Sequence, residues 1–283
     1  VRSLRGGVAG GVLHPSAGAG EAFADALAAL VAALGRDIRQ VLERVFAENV
    51  HHGAQDAPDD TQWGSVASQS RIALSKILDR YRPQFNAFAR DATGRMIERT
   101  LNHSAATLKM SLGEAVPGYA LPTDILNNRL REVVIASANQ AAGRIKLIPE
   151  QYLEEVGGQV ARSIQSGQGL ADLVPYLNEK YEGNIRWARL VALDQTRKTY
   201  SSISAARMDA LGVQEFQWIH TPGSWYPRKH HEAMHGKIYR LDDLPVIEPR
   251  TGERGIPGQA IFCRCTMRPI VRFGAQPKAR RAA

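Results

Sequence analysis

Val213-Gln214-Glu215-Phe216-Gln217-Trp218-Ile219-His220 alternates in the two-residue period of a β-strand. It is the point at which a chain otherwise written in helical spacing changes character. Downstream, Lys237-Ile238-Tyr239-Arg240-Leu241 and Thr266-Met267-Arg268-Pro269-Ile270-Val271 suggest two more short strands. The expected fold class is α+β: a mainly α-helical N-terminal half, then a small C-terminal α+β module containing a short antiparallel sheet. That sheet should pack on the helix that ends near Leu211, where Gly212 is placed to terminate it.

Upstream the apolar residues recur at steps of three and four. Phe23, Leu27, Leu30, Val31, Leu34, Ile38, Val41, Leu42 and Val45 mark an amphipathic helix, with Glu21 and Asp25 near its positive end and Gly35 as a weak point. His51 to Asp60 is polar and rich in breakers, and its adjacent histidines His51 and His52 would diverge on any regular element. Ser65 to about Gly113 is helical again, with Pro83 expected to kink or split it. Thr123-Asp124 can cap a helix through Leu126, Leu130, Val133, Val134 and Ile135. Another helix opens at Ile148-Pro149-Glu150 and runs to Ile164. Leu170 to Tyr181 is expected as a short helix, and Asn184 as the cap of a long one from Ile185 to about Leu211.

The ends read differently. Residues 1–20 carry six glycines and offer little to bury, which predicts a flexible Gly/Ala-rich arm held, if ordered, by another protein. Arg272 to Ala283 is a basic tail with Arg272, Lys278, Arg280 and Arg281 and no acid, suited to touching nucleic-acid phosphate. The expected domains are therefore 1–20, a helical docking region 21–145, a mixed module 146–271 and the tail 272–283.

A composition of 44% hydrophobic and 23% charged residues describes a globular chain, not a disordered one. A formal charge of +8 favours an anionic partner, nucleic acid foremost. The apolar run Ala22 to Gly35 is too short to span a bilayer and includes Asp25, so no membrane partner is expected.

Reactive side chains concentrate between Trp218 and Val271, which hold both cysteines and four of the eight histidines. His231 and His235, four apart, would share one face of a helix. Cys263 and Cys265 add two soft ligands, so the four together could hold tetrahedral zinc, although C-x-C is tighter than usual zinc spacing. The plainer reading is a histidine bonding a loop and cysteines packing a turn, with no cofactor. The enzyme alternative is a zinc-dependent nuclease or toxin-like activity centred on His230, His231, His235, Cys263 and Cys265. It lacks an acidic metal partner other than Glu232.

Ala192-Leu193-Asp194-Gln195-Thr196-Arg197-Lys198, Leu211-Gly212-Val213 with Trp218, Pro227-Arg228-x-x-His231 with Gly236-Lys237-Ile238-Tyr239, and Pro257-Gly258 before Cys263-Arg264-Cys265 follow one another in order. This combination resembles the phage Mu F-like head-morphogenesis family, the minor capsid proteins of tailed bacteriophages. The resemblance implies a non-enzymatic virion protein at the capsid interior or portal vertex, present in a few copies around the portal. It would act in procapsid assembly, DNA packaging or DNA delivery, with host cytoplasm as its place of assembly. Its partners would be the portal protein, other capsid-vertex proteins and double-stranded DNA. Trp218, Arg228, His231, Gly236, Pro257, Gly258, Cys263, Arg264 and Cys265 carry the family motif as structural residues. Ser224 and Tyr226 replace an acid and an arginine found in many members, and Phe262 stands where Asn or a small polar residue is common. Those departures favour a structural role for the loop. Arg228 and Arg264 are expected to bind carbonyls or carboxylates that fasten it to the sheet, more than DNA phosphate.

Overall fold

The computed structural model describes residues 3–4, 6–50, 65–118, 122–123, 127–167, 169–223 and 228–273. His51, His52, Ser224, Tyr226, Lys278, Arg280 and Arg281 lie outside them. The architecture is α+β, as the change of period predicts. The described helices are α1 (Ala17–Val50), α2 (Val66–Ala115), α3 (Asn128–Lys146), α4 (Ile148–Gln165), α5 (Leu170–Ala210) and a short α6 (Lys229–Ala233). The strands are β1 (Ser3–Leu4), β2 (Gly7–Ala9), β3 (Glu215–Ile219), β4 (Ile238–Arg240), β5 (Val246–Glu248), β6 (Glu253–Arg254) and β7 (Thr266–Arg272). The chain divides into two compact units. One comprises Val1–Gly20, Gly94–Gln140 and Leu193–Ala283, and the other Glu21–Thr93 and Ala141–Ala192.

The helical unit is built on the predicted apolar stripe of α1. Phe23, Leu27, Val31, Leu34, Ile38 and Leu42 are buried there, as are Ile77, Tyr81 and Phe85 of α2 and Tyr152, Val156 and Val160 of α4. By length and composition α1 could cross a bilayer, being longer than its most apolar run suggests, but its stripe is buried within this unit. Helix α1 runs unbroken through Gly35, which admits two tyrosines. A Cβ there would stand 2.6 Å from the Tyr181 ring and 2.8 Å from the Tyr152 hydroxyl. Polar ties surround the core: Tyr81 donates to Asp37 at 2.8 Å, Arg39 to Asn178 at 2.7 Å and Lys180 to Glu155 at 2.8 Å.

Two predicted breaks are absent. The α2 helix runs through Pro83, with buried Tyr81 and Phe85 on either side fixing its course. The α5 helix is continuous from Leu170 to Ala210, so Asn184 lies in mid-helix and caps nothing. In both cases burial of an apolar stripe outweighs a local break signal. Helix α5 stops where expected: Gly212 takes φ +74, and the Val213 amide returns to the Met208 carbonyl at 2.8 Å.

The sheet unit corrects the reading of the N-terminus. Its five strands run in the order β1-β2-β7-β3-β4, every pair antiparallel. Residues 7–13 are thus a strand and its continuation, not a free arm, and this chain itself holds them. Val8 pairs with Val271, Gly10 donates to the Pro269 carbonyl at 3.0 Å, and Leu13, 1% exposed, donates to Met267 at 2.9 Å. The glycines that suggested disorder permit close approach. A Cβ on Gly10 would stand 2.6 Å from the Ser111 carbonyl oxygen, and one on Gly7 2.8 Å from Ile270. Ser111 of α2 donates to the Gly11 carbonyl at 2.7 Å. Leu13, Leu108, Leu112, Tyr200, Met208, Phe216, Trp218, Met234 and Met267 form the core beneath this sheet. Arg207, 4% exposed on α5, serves the same unit by donating to the carbonyls of Thr123 and Leu101.

Candidate functional site

The sheet brings three segments to one point. The last β3–β7 pair is Ile219↔Thr266, so one antiparallel step further stand His220 and Cys265. Between β3 and β4, α6 carries His231. A tight turn before β7 carries Cys263, whose amide donates to the Ala260 carbonyl at 3.0 Å.

His231, Cys263 and Cys265 converge there. Their ligand atoms all lie within 4.8 Å of one another, and the residues are 2%, 2% and 4% exposed. Nδ1 of His231 is 3.4 Å from the Cys263 sulfur and 3.8 Å from that of Cys265, while Nδ1 of His220 is 3.5 Å from Cys265. On its other side His231 Nε2 meets the Ile247 carbonyl at 3.1 Å, which also receives His230 Nε2 at 2.8 Å. A carbonyl only accepts, so the proton of His231 sits on Nε2 and a lone pair on Nδ1 faces the sulfurs. Trp218, fully buried, packs edge-on against His231 at 5.1 Å. The Cys263 sulfur accepts from the Cys265 side chain, which draws its proton affinity well below the usual thiol value against the opposing effect of burial. The Cys265 thiol is pushed the other way, first by that same bond and then by burial.

His235 is not part of this group. Helix α6 ends at Ala233, with Met234 as its C-cap, so the one-face geometry expected for His231 and His235 never forms. The cause is Gly236, whose φ of +78 turns the chain back to the sheet; its amide donates to the Trp218 carbonyl at 2.8 Å. His235 instead accepts the backbone N–H of His220 at 3.0 Å. The histidine beside the cysteines is His220. Its signal in the sequence was its place two residues after Trp218, on the same face of the strand.

The other motif residues act as joints. Arg264 donates to the Gly223 carbonyl at 2.8 Å, tying the turn before β7 to the loop after β3. The Arg228 carbonyl accepts the amides of His231 and Glu232 at the start of α6. Gly258 has φ +89, and a Cβ there would stand 2.6 Å from the Ser201 hydroxyl of α5. Asp194 of α5 is 4% exposed; its carboxylate accepts the Phe262 amide at 2.7 Å and the Lys198 ammonium at 2.8 Å. Burial raises this carboxyl above the ordinary range, with Lys198 and the Phe262 amide opposing. Phe262 has φ +54, the left-handed region that non-glycine residues avoid and Asn tolerates best. The departure at this position is therefore also a backbone strain. Arg272 ends β7 and is not in a free tail: its guanidinium pairs with Glu215 at 2.7 Å.

Residues 154–268, less than half of the chain, match the family model described as Phage Mu protein F like protein. A curated protein of Haemophilus influenzae (strain ATCC 51907 / DSM 11121 / KW20 / Rd), described as uncharacterized, is 22% identical over 207 residues. The alignment covers 71% of this chain and 44% of the relative, so the chain spans less than half of that protein's length. No solved structure matches significantly.

Proposed function

We propose that this protein is a non-enzymatic minor head protein of a tailed bacteriophage. It binds the portal or a neighbouring capsid-vertex protein and supports procapsid assembly, DNA packaging or DNA delivery. One observation carries the reading: within the family-matched segment, the motif residues fasten segments of the same fold together. Asp194 holds the Phe262 amide, Arg264 the Gly223 carbonyl, and Gly258 packs on Ser201. The most reactive side chains, His231, Cys263 and Cys265, are each at least nine-tenths buried. A nuclease centred there would have to admit a polynucleotide to a site closed by its own sheet. Helices α1 to α3 supply the surface for docking.

The test is complementation of a phage lacking this gene, paired with nuclease assays on the purified chain. Deletion is expected to stop production of DNA-filled heads, and the protein is expected to leave DNA and RNA intact. Cleavage abolished by His231→Ala would replace this reading with the enzymatic one.

A further inference from the structure

We propose that His231, Cys263 and Cys265, with His220 as the fourth ligand, form a structural zinc site that clamps the sheet. The proposal stands on geometry and is independent of the head-protein reading.

Tetrahedral zinc with Zn–S of about 2.3 Å and Zn–N of about 2.0 Å sets a sulfur–nitrogen edge of about 3.5 Å. The three sulfur–nitrogen separations here are 3.4, 3.5 and 3.8 Å. His231 Nδ1 and the two sulfurs thus lie near the spacing of a tetrahedral shell, and His220 Nδ1, at that spacing from Cys265 but outside the group of three, is the candidate for the fourth position. They come from three segments that nothing in sequence holds adjacent.

The surroundings suit a metal as well. The Ile247 carbonyl fixes the His231 proton on Nε2, leaving Nδ1 as the donor atom, the outer contact that orients ligating histidines. Backbone amides reach both sulfurs, that of Cys265 toward Cys263 and that of Thr221 toward Cys265. Such N–H groups stabilise the negative charge that zinc-bound sulfur carries. The Trp218 indole N–H, buried beside this group, also reaches the Cys265 sulfur. With no open ligand position, and with His231, Cys263 and Cys265 each at least nine-tenths buried, the site is structural and not catalytic.

The ion would tie the end of β3, α6 and the turn into β7 into one joint. That would brace the central β7–β3 pair of a sheet whose strands are two to seven residues long. Two S–H···N hydrogen bonds could join the same atoms without an ion, and the experiment separates the two.

The full-length chain is purified without chelator or affinity metal, and its zinc is counted by plasma mass spectrometry. About one zinc per chain is expected, retained in His235→Ala and lost in Cys263→Ser and Cys265→Ser. Because those two variants could unfold, the wild-type protein is also stripped and refilled with cobalt. Sulfur-to-cobalt charge-transfer and tetrahedral d–d bands should then appear, with the d–d bands altered in His220→Ala. Stripping should lower the melting temperature, and zinc should restore it. Wild-type protein holding under a tenth of a zinc per chain, and giving no tetrahedral spectrum with cobalt, overturns the proposal in favour of the hydrogen-bonded pair. A cobalt spectrum identical in wild type and His220→Ala overturns the assignment of the fourth ligand.

Discussion

Replacing Asp194 with Ala tests the joint between α5 and the cysteine turn. The carboxylate is 4% exposed and serves two groups at once, the Phe262 amide and Lys198. Its loss leaves a buried amide without an acceptor, which costs about 1–3 kcal/mol. It also strands an ammonium whose side chain is only 13% exposed, and breaking a buried pair costs about 3–5 kcal/mol. These penalties overlap, because one group is removed and Lys198 keeps some water, so the expected total is about 3–4 kcal/mol. Asp194→Asn keeps an oxygen for the amide and should cost less. Adding Lys198→Met to Asp194→Asn should recover part of that loss by removing the stranded charge. The assay is urea unfolding combined with hydrogen exchange of peptides covering residues 255–266. The amide of Phe262 should exchange much faster in Asp194→Ala and nearly normally in Asp194→Asn. A loss under about 1 kcal/mol with unchanged exchange at residue 262 would refute the joint.

Asp194 also predicts a pH signature. Its folded carboxyl is raised above the ordinary value, mainly by burial, so its contribution is fully present below the unfolded pKa of about 3.9 and fades as pH rises through the folded value. The stability of wild type relative to Asp194→Asn should therefore fall as pH rises above about 4; a difference that grows instead refutes the burial account. At residue 262, Phe262→Gly and Phe262→Ala lose the same aromatic burial, but φ +54 should make the glycine variant the more stable by about 1 kcal/mol. Equal or reversed urea midpoints would remove strain from the account. Gly35→Ala, which in an open helix would stabilise by about 1 kcal/mol, should here destabilise by about 1–3 kcal/mol, because its Cβ meets Tyr181 and Tyr152. A raised melting temperature would contradict that packing.

The sequence displayed periodicity well and long-range pairing poorly. Strands β3, β4 and β7 and the apolar stripe of α1 follow from spacing alone, because a two-residue or a 3.6-residue period decides which side chains can share a face. Strand β2, between β1 and β7, was hidden because its glycines mean one thing in an isolated segment and another beside Ser111 and Ile270. Only the partner reveals that a missing Cβ is what lets the backbones meet. The unbroken course of α2 past Pro83 and of α5 past Asn184 has the same origin: local break signals are worth a few kcal/mol, and a long buried stripe outweighs them.

At the site, His231, Cys263 and Cys265 were legible as a chemically unusual set. Pairing His231 with His235 assumed a helix that continues, whereas Gly236 ends it and sends His235 to the His220 amide. His220 enters instead through strand register, a relation between β3 and β7 that no window of one strand contains. Asp194 was visible as part of a motif, but its role needed the 68-residue separation from Phe262 to be closed by the fold.

The central claim is that this chain is a component of a phage head. Cross-linking mass spectrometry on purified particles of the source phage tests it most directly. Cross-links joining residues 21–145 to the portal or an adjoining vertex protein are the predicted result. Particles that lack the protein, or in which it is linked to nothing at the vertex, would contradict the claim.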